Sequence, residues 1–470
     1  MVRATAVVGL GRSGISAARL LHAQGHTVWL LEQHRTPQLH STAAALRQEG
    51  LHVQLDCTLP FLEQLNPRAV VLSPGVDWSE PVLVQLRRRG VPVYGETELA
   101  WQTVASAPWI GVTGTNGKTT VTAMVSHLLQ QAGRDAPICG NSGATATEMA
   151  LECHRGHHRP DWVVAELSSF QIEASPTLAP HIGIWSTLTP DHLDRHGSFA
   201  AYGAVKAALI TRSAIPVLNG DDPEIWRRRH CWPTARWITC RSGAALQPHR
   251  QAALSIEEDM VTTPSGPLFR ANVLSLPGQH NRVNMLLATA AALEAGLEPG
   301  GIAAGLRSFP GVPHRLETIA RHQGVAYIND SKATNYDAAR IALAALDGPL
   351  VLLAGGRAKQ GEAHGWLEGI AAKAAAVICY GEAGDAFAAQ VRQTCPQVVC
   401  QRLQGLGEAV ARSHALALEQ GAPTVLLSPA CASFDQYSDF EARGEHFRAL
   451  VQALGEPTPR ANPEHPQGYP

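Results

Sequence analysis

The chain has 470 residues, 45% of them hydrophobic and 17% charged, a composition that argues against long disorder and a length that predicts three domains rather than one core. A formal net charge of −2 excludes an overall basic field for nucleic acid or an anionic membrane surface, so a polyanionic ligand has to be held locally. The nine cysteines are odd in number, scattered and without a C-x-x-C pair, which argues against a disulfide scaffold and a structural zinc.

From Met1 the chain runs directly into a strand-like Ala6-Val7-Val8, without a basic leader or an apolar signal core, and a cytoplasmic protein is expected. No apolar run approaches the roughly 20 residues that span a bilayer, so no membrane insertion is expected. After that strand, Gly9-Leu-Gly11-Arg12-Ser13-Gly14 opens a helix, and a second strand, Thr27 to Leu31, ends at Glu32. This is the dinucleotide fingerprint: glycines let the backbone approach a pyrophosphate at a helix N-terminus, and the acid reaches a ribose. Gly11, Arg12, Ser13 and Glu32 are candidate ligand contacts. The same physics suits the diphosphate of a UDP-sugar, so a nicotinamide-dependent dehydrogenase and a UDP-binding protein both stand at this point. A later strand, Ala69 to Leu72, leads into Ser73-Pro74-Gly75 and completes a unit expected over residues 1–99.

The second unit, residues 100–308, opens with a strand from Trp109 to Val112 that enters Gly111-Val-Thr-Gly-Thr-Asn-Gly-Lys-Thr-Thr120 and a helix from about Lys118 to Ala132. Backbone N–H groups of Gly114, Thr115, Asn116, Gly117, Lys118, Thr119 and Thr120 can surround phosphate oxygens, with Lys118 reaching the terminal phosphates and Thr119 holding Mg²⁺. Val112 stands where the generic phosphate loop has glycine, so this is a variant. A glycine turn that merely joins strand to helix is the plainer alternative, and the loop alone leaves kinase, GTPase, motor and ligase open.

Glu166, at the end of an apolar strand, is the candidate second anchor of the metal, against the alternative of a salt-bridged strand-end acid. The segment Leu188-Thr-Pro-Asp191-His192-Leu-Asp194-Arg195-His196 follows a strand from Ile182 to Ser186 and concentrates ionisable groups. Lys206 lies on the next helical stretch with Tyr202 and by itself reads as a surface lysine. The third unit, 309–455, begins at Phe309-Pro310-Gly311 and carries strands near 326–329, 351–354, 377–380 and 425–427; a tail at 456–470 is expected to be mobile. Strands alternating with Ala/Leu-rich helices predict α/β architecture: a Rossmann-like N-terminal domain, a central P-loop ATPase-type domain and a Rossmann-like C-terminal domain.

Five further strings complete the pattern: Glu166-Leu-Ser-Ser-Phe-Gln-Ile-Glu173, Gly278-Gln-His-Asn281-Arg-Val-Asn284, Pro313-His-Arg315-Leu-Glu317, Asn329-Asp330-Ser-Lys332-Ala-Thr334-Asn335 and Leu427-Ser-Pro-Ala-Cys431-Ala-Ser433-Phe434-Asp435-Gln-Tyr437. With the Gly-Thr-Asn-Gly-Lys-Thr turn at 114–119, this order resembles the Mur ligases and their relative folylpolyglutamate synthase along nearly the whole chain, and most of all the branch that adds D-glutamate.

The resemblance implies ATP and two Mg²⁺ ions as cofactors, with UDP-N-acetylmuramoyl-L-alanine and D-glutamate as substrates of a monomer. It implies that Lys118, Thr119 and Glu166 serve ATP and the first metal, while His192 and a carbamylated Lys206 hold the second. Asn281 and Asn284 would place the nucleotide, and Arg315, Asp330 and Lys332 would contact its phosphate and ribose. Ser73, Asn141 and His192 would approach the uridine substrate. Thr334, Lys359, Ser433, Phe434 and Phe440 would line the D-glutamate pocket. Two places depart from the family pattern: Gln33, His34 and Arg35 follow the strand-end acid, and Arg357 stands where some relatives have Asp. Because an acyl phosphate hydrolyses in water, the third domain is expected to act as a lid, with hinges near Ala100 and Phe309.

Overall fold

Runs of Val, Leu, Ile and Ala too apolar to face water on either side form the central strands, and helices cover both faces. The computed structural model describes residues 3–241, 252–358 and 361–454, which divide into two compact units, Met1–Pro310 and Gly311–Pro470. The expected tail at 456–470 lies outside the described residues.

The first unit contains two sheets. One has strands β1 (Thr5–Val8), β2 (Val28–Leu31), β3 (His52–Gln54), β4 (Ala69–Leu72) and β5 (Val93–Gly95), all parallel in the order β3-β2-β1-β4-β5. The order reverses at β1, and the turn after β1 therefore sits in the crevice where such sheets take ligands. Gly9 has φ +101°, and a Cβ on Gly14 would lie 1.8 Å from the Gly9 carbonyl oxygen. The helix Arg12–Ala23 can approach the turn this closely only because residue 14 has no side chain.

The second sheet has β6 (Trp109–Thr113), β7 (Ile138–Gly140), β8 (Val163–Glu166), β9 (Ile182–Trp185), β10 (Ile215–Asn219), β11 (Arg236–Thr239), β12 (Leu254–Glu257), β13 (Met260–Thr263) and β14 (Gly266–Arg270), in the order β14-β13-β12-β11-β10-β9-β6-β8-β7. β6 lies between β8 and β9, so the loop after it again emerges at a reversal of strand order. β12, β13 and β14 pair antiparallel, at one edge of a sheet whose other strands are parallel. Their first turn uses Glu258 and Asp259 at φ 49° and 64°, a two-residue turn built without the glycine that marks such turns in a sequence.

One buried cluster runs through both sheets of this unit, from Val7 and Leu30 to Leu99, Ala100, Trp109 and Met149. The hinge expected near Ala100 is instead part of the helix Glu96–Thr103, whose residues 96–100 are all buried. The Glu96 carboxylate accepts hydrogen bonds from Thr97 Oγ1 at 2.7 Å, Gln171 Nε2 at 3.4 Å and Thr147 Oγ1 at 3.2 Å, and these buried polar ties fix the two sheets together.

The second unit holds β15 (Glu317–His322), β16 (Val325–Asn329), β17 (Leu350–Gly355), β18 (Ala374–Tyr380), β19 (Val399–Arg402) and β20 (Thr424–Leu427) in the order β15-β16-β20-β17-β18-β19. β15 alone is antiparallel to its neighbour. Strand alternation divides β17 between two cores: Leu350, Leu352 and Ala354 face one, Val351 and Leu353 the other.

Gly14→Ala forces a methyl group into the Gly9 carbonyl, and the expected cost is roughly 2 kcal/mol of stability or more. Urea unfolding of the full chain measures it; an unchanged midpoint contradicts the packing described for the first turn.

Candidate active site

The strand-to-helix loop 114–119 is shaped by close approach. Gly114 and Gly117 have φ +149° and +85°; a Cβ on Gly114 would stand 2.0 Å from Ser186 Oγ, and one on Gly117 would stand 2.7 Å from Asn284 Oδ1. Residues at the end of β9 hold the loop from outside. Thr115 N donates to Thr187 O at 2.9 Å, Asn116 N to Thr187 Oγ1 at 2.9 Å, and Thr115 Oγ1 to Thr189 O at 2.9 Å. The helix Lys118–Gln131 follows, with Thr119 and Thr120 buried in its first turn, so its positive end and the loop N–H groups share one small volume.

Two lysines converge on this loop. Lys118 Nζ donates to Gly114 O at 2.8 Å and Thr115 O at 2.9 Å, and Lys206 Nζ donates to the same Gly114 O at 2.9 Å. Lys206 is 1% exposed. Burial, and then the charge of Lys118, push its pKa well below the ordinary lysine value, with Asp191 and Glu166 opposing. The surface-lysine alternative is therefore excluded by position.

Glu166 ends β8 beside the loop, and Asn141 is tied to it: Asn141 Nδ2 donates to Glu166 Oε1 at 2.9 Å and Asn141 N to Glu166 O at 2.9 Å. His192 sits at φ 52° before the short helix Leu193–His196. Its ring meets Phe170 edge-on at 5.0 Å, and Nε2 lies 3.5 Å from Asp191 Oδ2. Asn281 and Asn284, on the helix Gln279–Glu294, are buried and joined by an Asn284 Nδ2 to Asn281 Oδ1 bond of 3.2 Å.

No group of three or more His, Cys, Asp or Glu among the described residues forms a ready-made metal site. One hydroxyl, Thr119, and one carboxylate, Glu166, beside a phosphate loop fit Mg²⁺, which takes few protein ligands and completes its shell with phosphate oxygens and water. A cationic Lys206 does not fit a metal site, whereas a carbamate on it does.

In the turn after β1, Glu32 Oε2 accepts from Leu10 N at 2.9 Å and Oε1 from His34 N at 3.0 Å. Gly11 and Ser13 begin the following helix. Arg12 turns away to Glu148, with Nη2 to Oε2 at 2.8 Å, and to Gly143 O at 3.1 Å. Ser73 Oγ is buried against Gly9 and has no hydrogen-bond partner among the described residues.

In the second unit, Asp330 at the end of β16 accepts from Ser428 Oγ at 2.8 Å and Leu316 N at 3.3 Å. Burial raises its pKa to about 7, against the pull of Arg315. Lys332 Nζ lies 5.1 Å from the Phe440 ring centroid. Ser433 is buried, Phe434 is 61% exposed, and Thr334 is half-buried in the loop after Lys332. Lys359 lies outside the described residues.

Residues 3–95 match the Mur ligase MurD-like N-terminal domain, residues 112–292 the Mur ligase middle domain and residues 314–431 the Mur ligase glutamate ligase domain. The chain belongs to the Mur ligase family. Among Mur ligases it is 49% identical over 464 residues to the UDP-N-acetylmuramoylalanine–D-glutamate ligase of Synechococcus sp. (strain CC9605), covering 96% of this chain and 98% of that one. It is 46% identical over 452 residues to the protein of that name from Synechocystis sp., covering 95% and 99%. The fold matches the crystal structure of UDP-N-acetylmuramate-alanine ligase from Thermotoga maritima with a TM-score of 0.59 at 19% identity, over 96% and 99% of the two chains. It also matches Mycobacterium tuberculosis folylpolyglutamate synthase complexed with ADP, with a TM-score of 0.57 at 16% identity over 77% and 93%. The three-domain α/β architecture expected from the sequence is that of the Mur ligases.

Sequence reasoning missed the residues that hold the phosphate loop in place, Thr187 and Thr189, because hydroxyls after a strand carry no signal of their own. It also missed Ser428, which caps Asp330.

Between its ordinary value of 3.8 and about 7, Asp330 keeps a proton in the folded chain that the unfolded chain has released. Its contribution to stability is therefore present at low pH and lost as pH rises through that window. Asp330→Asn is expected to flatten this part of the stability profile in chemical denaturation; an identical slope in both proteins contradicts the burial argument.

Proposed function

We propose that this Mur ligase joins D-glutamate to UDP-N-acetylmuramoyl-L-alanine at the expense of ATP, through an acyl phosphate, in peptidoglycan precursor synthesis. The likeness to relatives of that name over 96% of the chain carries the choice of substrates, and the loop at 114–119 with its two lysines carries the chemistry. In functional terms residues 1–99 bind the uridine substrate, 100–308 bind ATP, and 309–455 bind the amino acid, in a cytoplasmic monomer. No helix among the described residues is long and apolar enough to cross a membrane.

The muramoyl-alanine carboxylate attacks the γ-phosphorus of ATP, forming an acyl phosphate and releasing ADP. Two anions have to meet for this, and Lys118, the loop N–H groups and the N-terminus of the helix they begin lower the repulsion. Bound Mg²⁺ supplies further neutralisation of the triphosphate, with Thr119 and Glu166 as its protein ligands, and His192 and carbamylated Lys206 as those of a second ion. The amine of D-glutamate then attacks the acyl carbon, and the tetrahedral intermediate collapses to the amide with loss of phosphate.

Carbamylation needs a neutral amine to attack CO₂, and burial beside Lys118, which lowers the pKa of Lys206, favours that form. Asn281 and Asn284 position the nucleotide against Gly117. Glu32, Ser73, Asn141 and the Gly11-Arg12-Ser13 turn orient the uridine substrate. To the second unit fall the phosphate and ribose contacts of Arg315, Asp330 and Lys332, and the D-glutamate contacts of Thr334, Lys359, Ser433, Phe434 and Phe440.

The deciding experiment is phosphate release from ATP: it is expected only when UDP-N-acetylmuramoyl-L-alanine and D-glutamate are both present, and release that is indifferent to either substrate sinks this assignment. Lys118→Ala is expected to lose nearly all of that turnover. Lys206→Ala is expected to be inactive but partly restored by acetate, which can occupy the place of the carbamate; full activity without rescue excludes the role given to Lys206.

A further inference from the structure

We propose that Arg195 is a positioning residue that couples the loop after β4, on the side assigned to the uridine substrate, to the His192 segment beside the phosphate loop. This inference rests on the function proposed above.

Arg195 stands three residues after His192, and its backbone N–H closes that turn on His192 O at 3.2 Å. Its guanidinium, 18% exposed, reaches two carboxylates on different elements: Nη1 lies 3.3 Å from Asp77 Oδ1 and Nη2 lies 3.0 Å from Glu173 Oε2. Asp77 belongs to the loop that begins at Ser73, and Glu173 ends the helix Ser169–Glu173 that follows Glu166. The first sheet and the second are thus tied through one side chain of the segment that carries His192.

That loop is itself held in shape. Ser79 donates to Asp77 Oδ1 from N at 2.7 Å and from Oγ at 2.6 Å. Arg87 covers the Trp78 ring at 4.1 Å and donates to Trp78 O at 2.8 Å. A change in the loop therefore moves Asp77 with it and does not dissipate in a free side chain.

From the guanidinium the contacts continue inward without a gap. Arg195 Cζ lies 5.5 Å from the centre of the Phe170 ring. Phe170 meets His192 edge-on at 5.0 Å and stacks on His196 at 5.5 Å with an interplanar angle of 20°. His196 packs on Tyr202 at 5.4 Å, and the Tyr202 hydroxyl is 3.2 Å from Thr115 Oγ1 in the phosphate loop. Lys206 Nζ is 4.6 Å from the Tyr202 ring. Arginine suits this place because its planar fork serves two carboxylates while its face lies on an aromatic ring; lysine can do only one of these.

A surface ion pair that only adds stability contributes little, and losing it lowers the amount of folded enzyme without changing KM for any substrate. A positioning role makes a narrower demand, because the guanidinium itself bridges the uridine side and the His192 segment and reaches the phosphate loop only through the packed rings of Phe170, His196 and Tyr202. Steady-state kinetics of the full chain separate the two, using Arg195→Ala, Asp77→Ala, their double variant and Arg195→Lys. In Arg195→Ala, KM for UDP-N-acetylmuramoyl-L-alanine is expected to rise about tenfold with a fall in kcat, while KM for ATP stays within about twofold. The double variant is expected to be no worse than Arg195→Ala by more than about twofold, since one coupling is removed twice, and Arg195→Lys is expected to recover part of the loss. Unchanged constants, multiplying losses in the double variant, or an equal rise in KM for ATP overturn the proposal. If Arg195→Ala does not fold, Asp77→Ala, whose side chain is 42% exposed, decides alone by the same selective rise in KM. Wild-type phosphate release that ignores either substrate is the separate result that fells the underlying assignment.

Discussion

One carbonyl oxygen, that of Gly114, accepts hydrogen bonds from two lysine side chains, Lys118 and Lys206. Two ammonium groups on one acceptor repel each other, and the inner one has almost no contact with water to offset this. Both effects push the pKa of Lys206 well below that of an ordinary lysine and disfavour its cationic form. A neutral amine relieves the repulsion, and a carbamate turns it into attraction. In the function proposed here that conversion would let the site hold a polyanion and its metal together, with Lys118 as the cation for the phosphates and its neighbour no longer adding to the positive charge.

The sheets around this point are arranged so that the loop cannot relax. Trp109, Ile110 and Val112 of β6 are fully buried, and β8 and β9 flank the strand on both sides. Ser186 and Asn284 fill the space where side chains at 114 and 117 would be, so the backbone itself forms the wall of the site. The first sheet shares a core with the second and is fastened to it by buried ties from Glu96 and by Arg195. The turn after β1 and the loop at 114–119 are in this way held within one compact unit.

Much of this was legible in the sequence for identifiable reasons. The strands at 69–72, 109–113 and 163–166 were readable because they are short and apolar and end at a Ser-Pro-Gly turn, a glycine loop and a single acid. The phosphate loop was readable because Gly-Thr-Asn-Gly-Lys-Thr has few other uses between a strand and a helix. What escaped was set by tertiary context. The first turn of the β12 to β14 meander is Glu258-Asp259, without the glycine that marks a two-residue hairpin turn. The stretch around Ala100 lies between two nucleotide-binding motifs and reads as a linker, yet it forms a helix whose carboxylates Glu96 and Glu98 are buried because Thr97, Gln171 and Thr147 meet the first and Thr177 the second. Lys206 is the sharpest case: Ala and Leu neighbours on a helix do not tell which face is buried, and only the fold places its amine against Gly114.

The most direct test of the account is carbon-13 NMR of the full-length protein in carbon-13 bicarbonate. A single carbamate carbonyl resonance in the wild-type protein, absent from Lys206→Arg, is the predicted result. Full turnover under conditions where no such resonance forms would contradict it, and would remove the role given to Lys206.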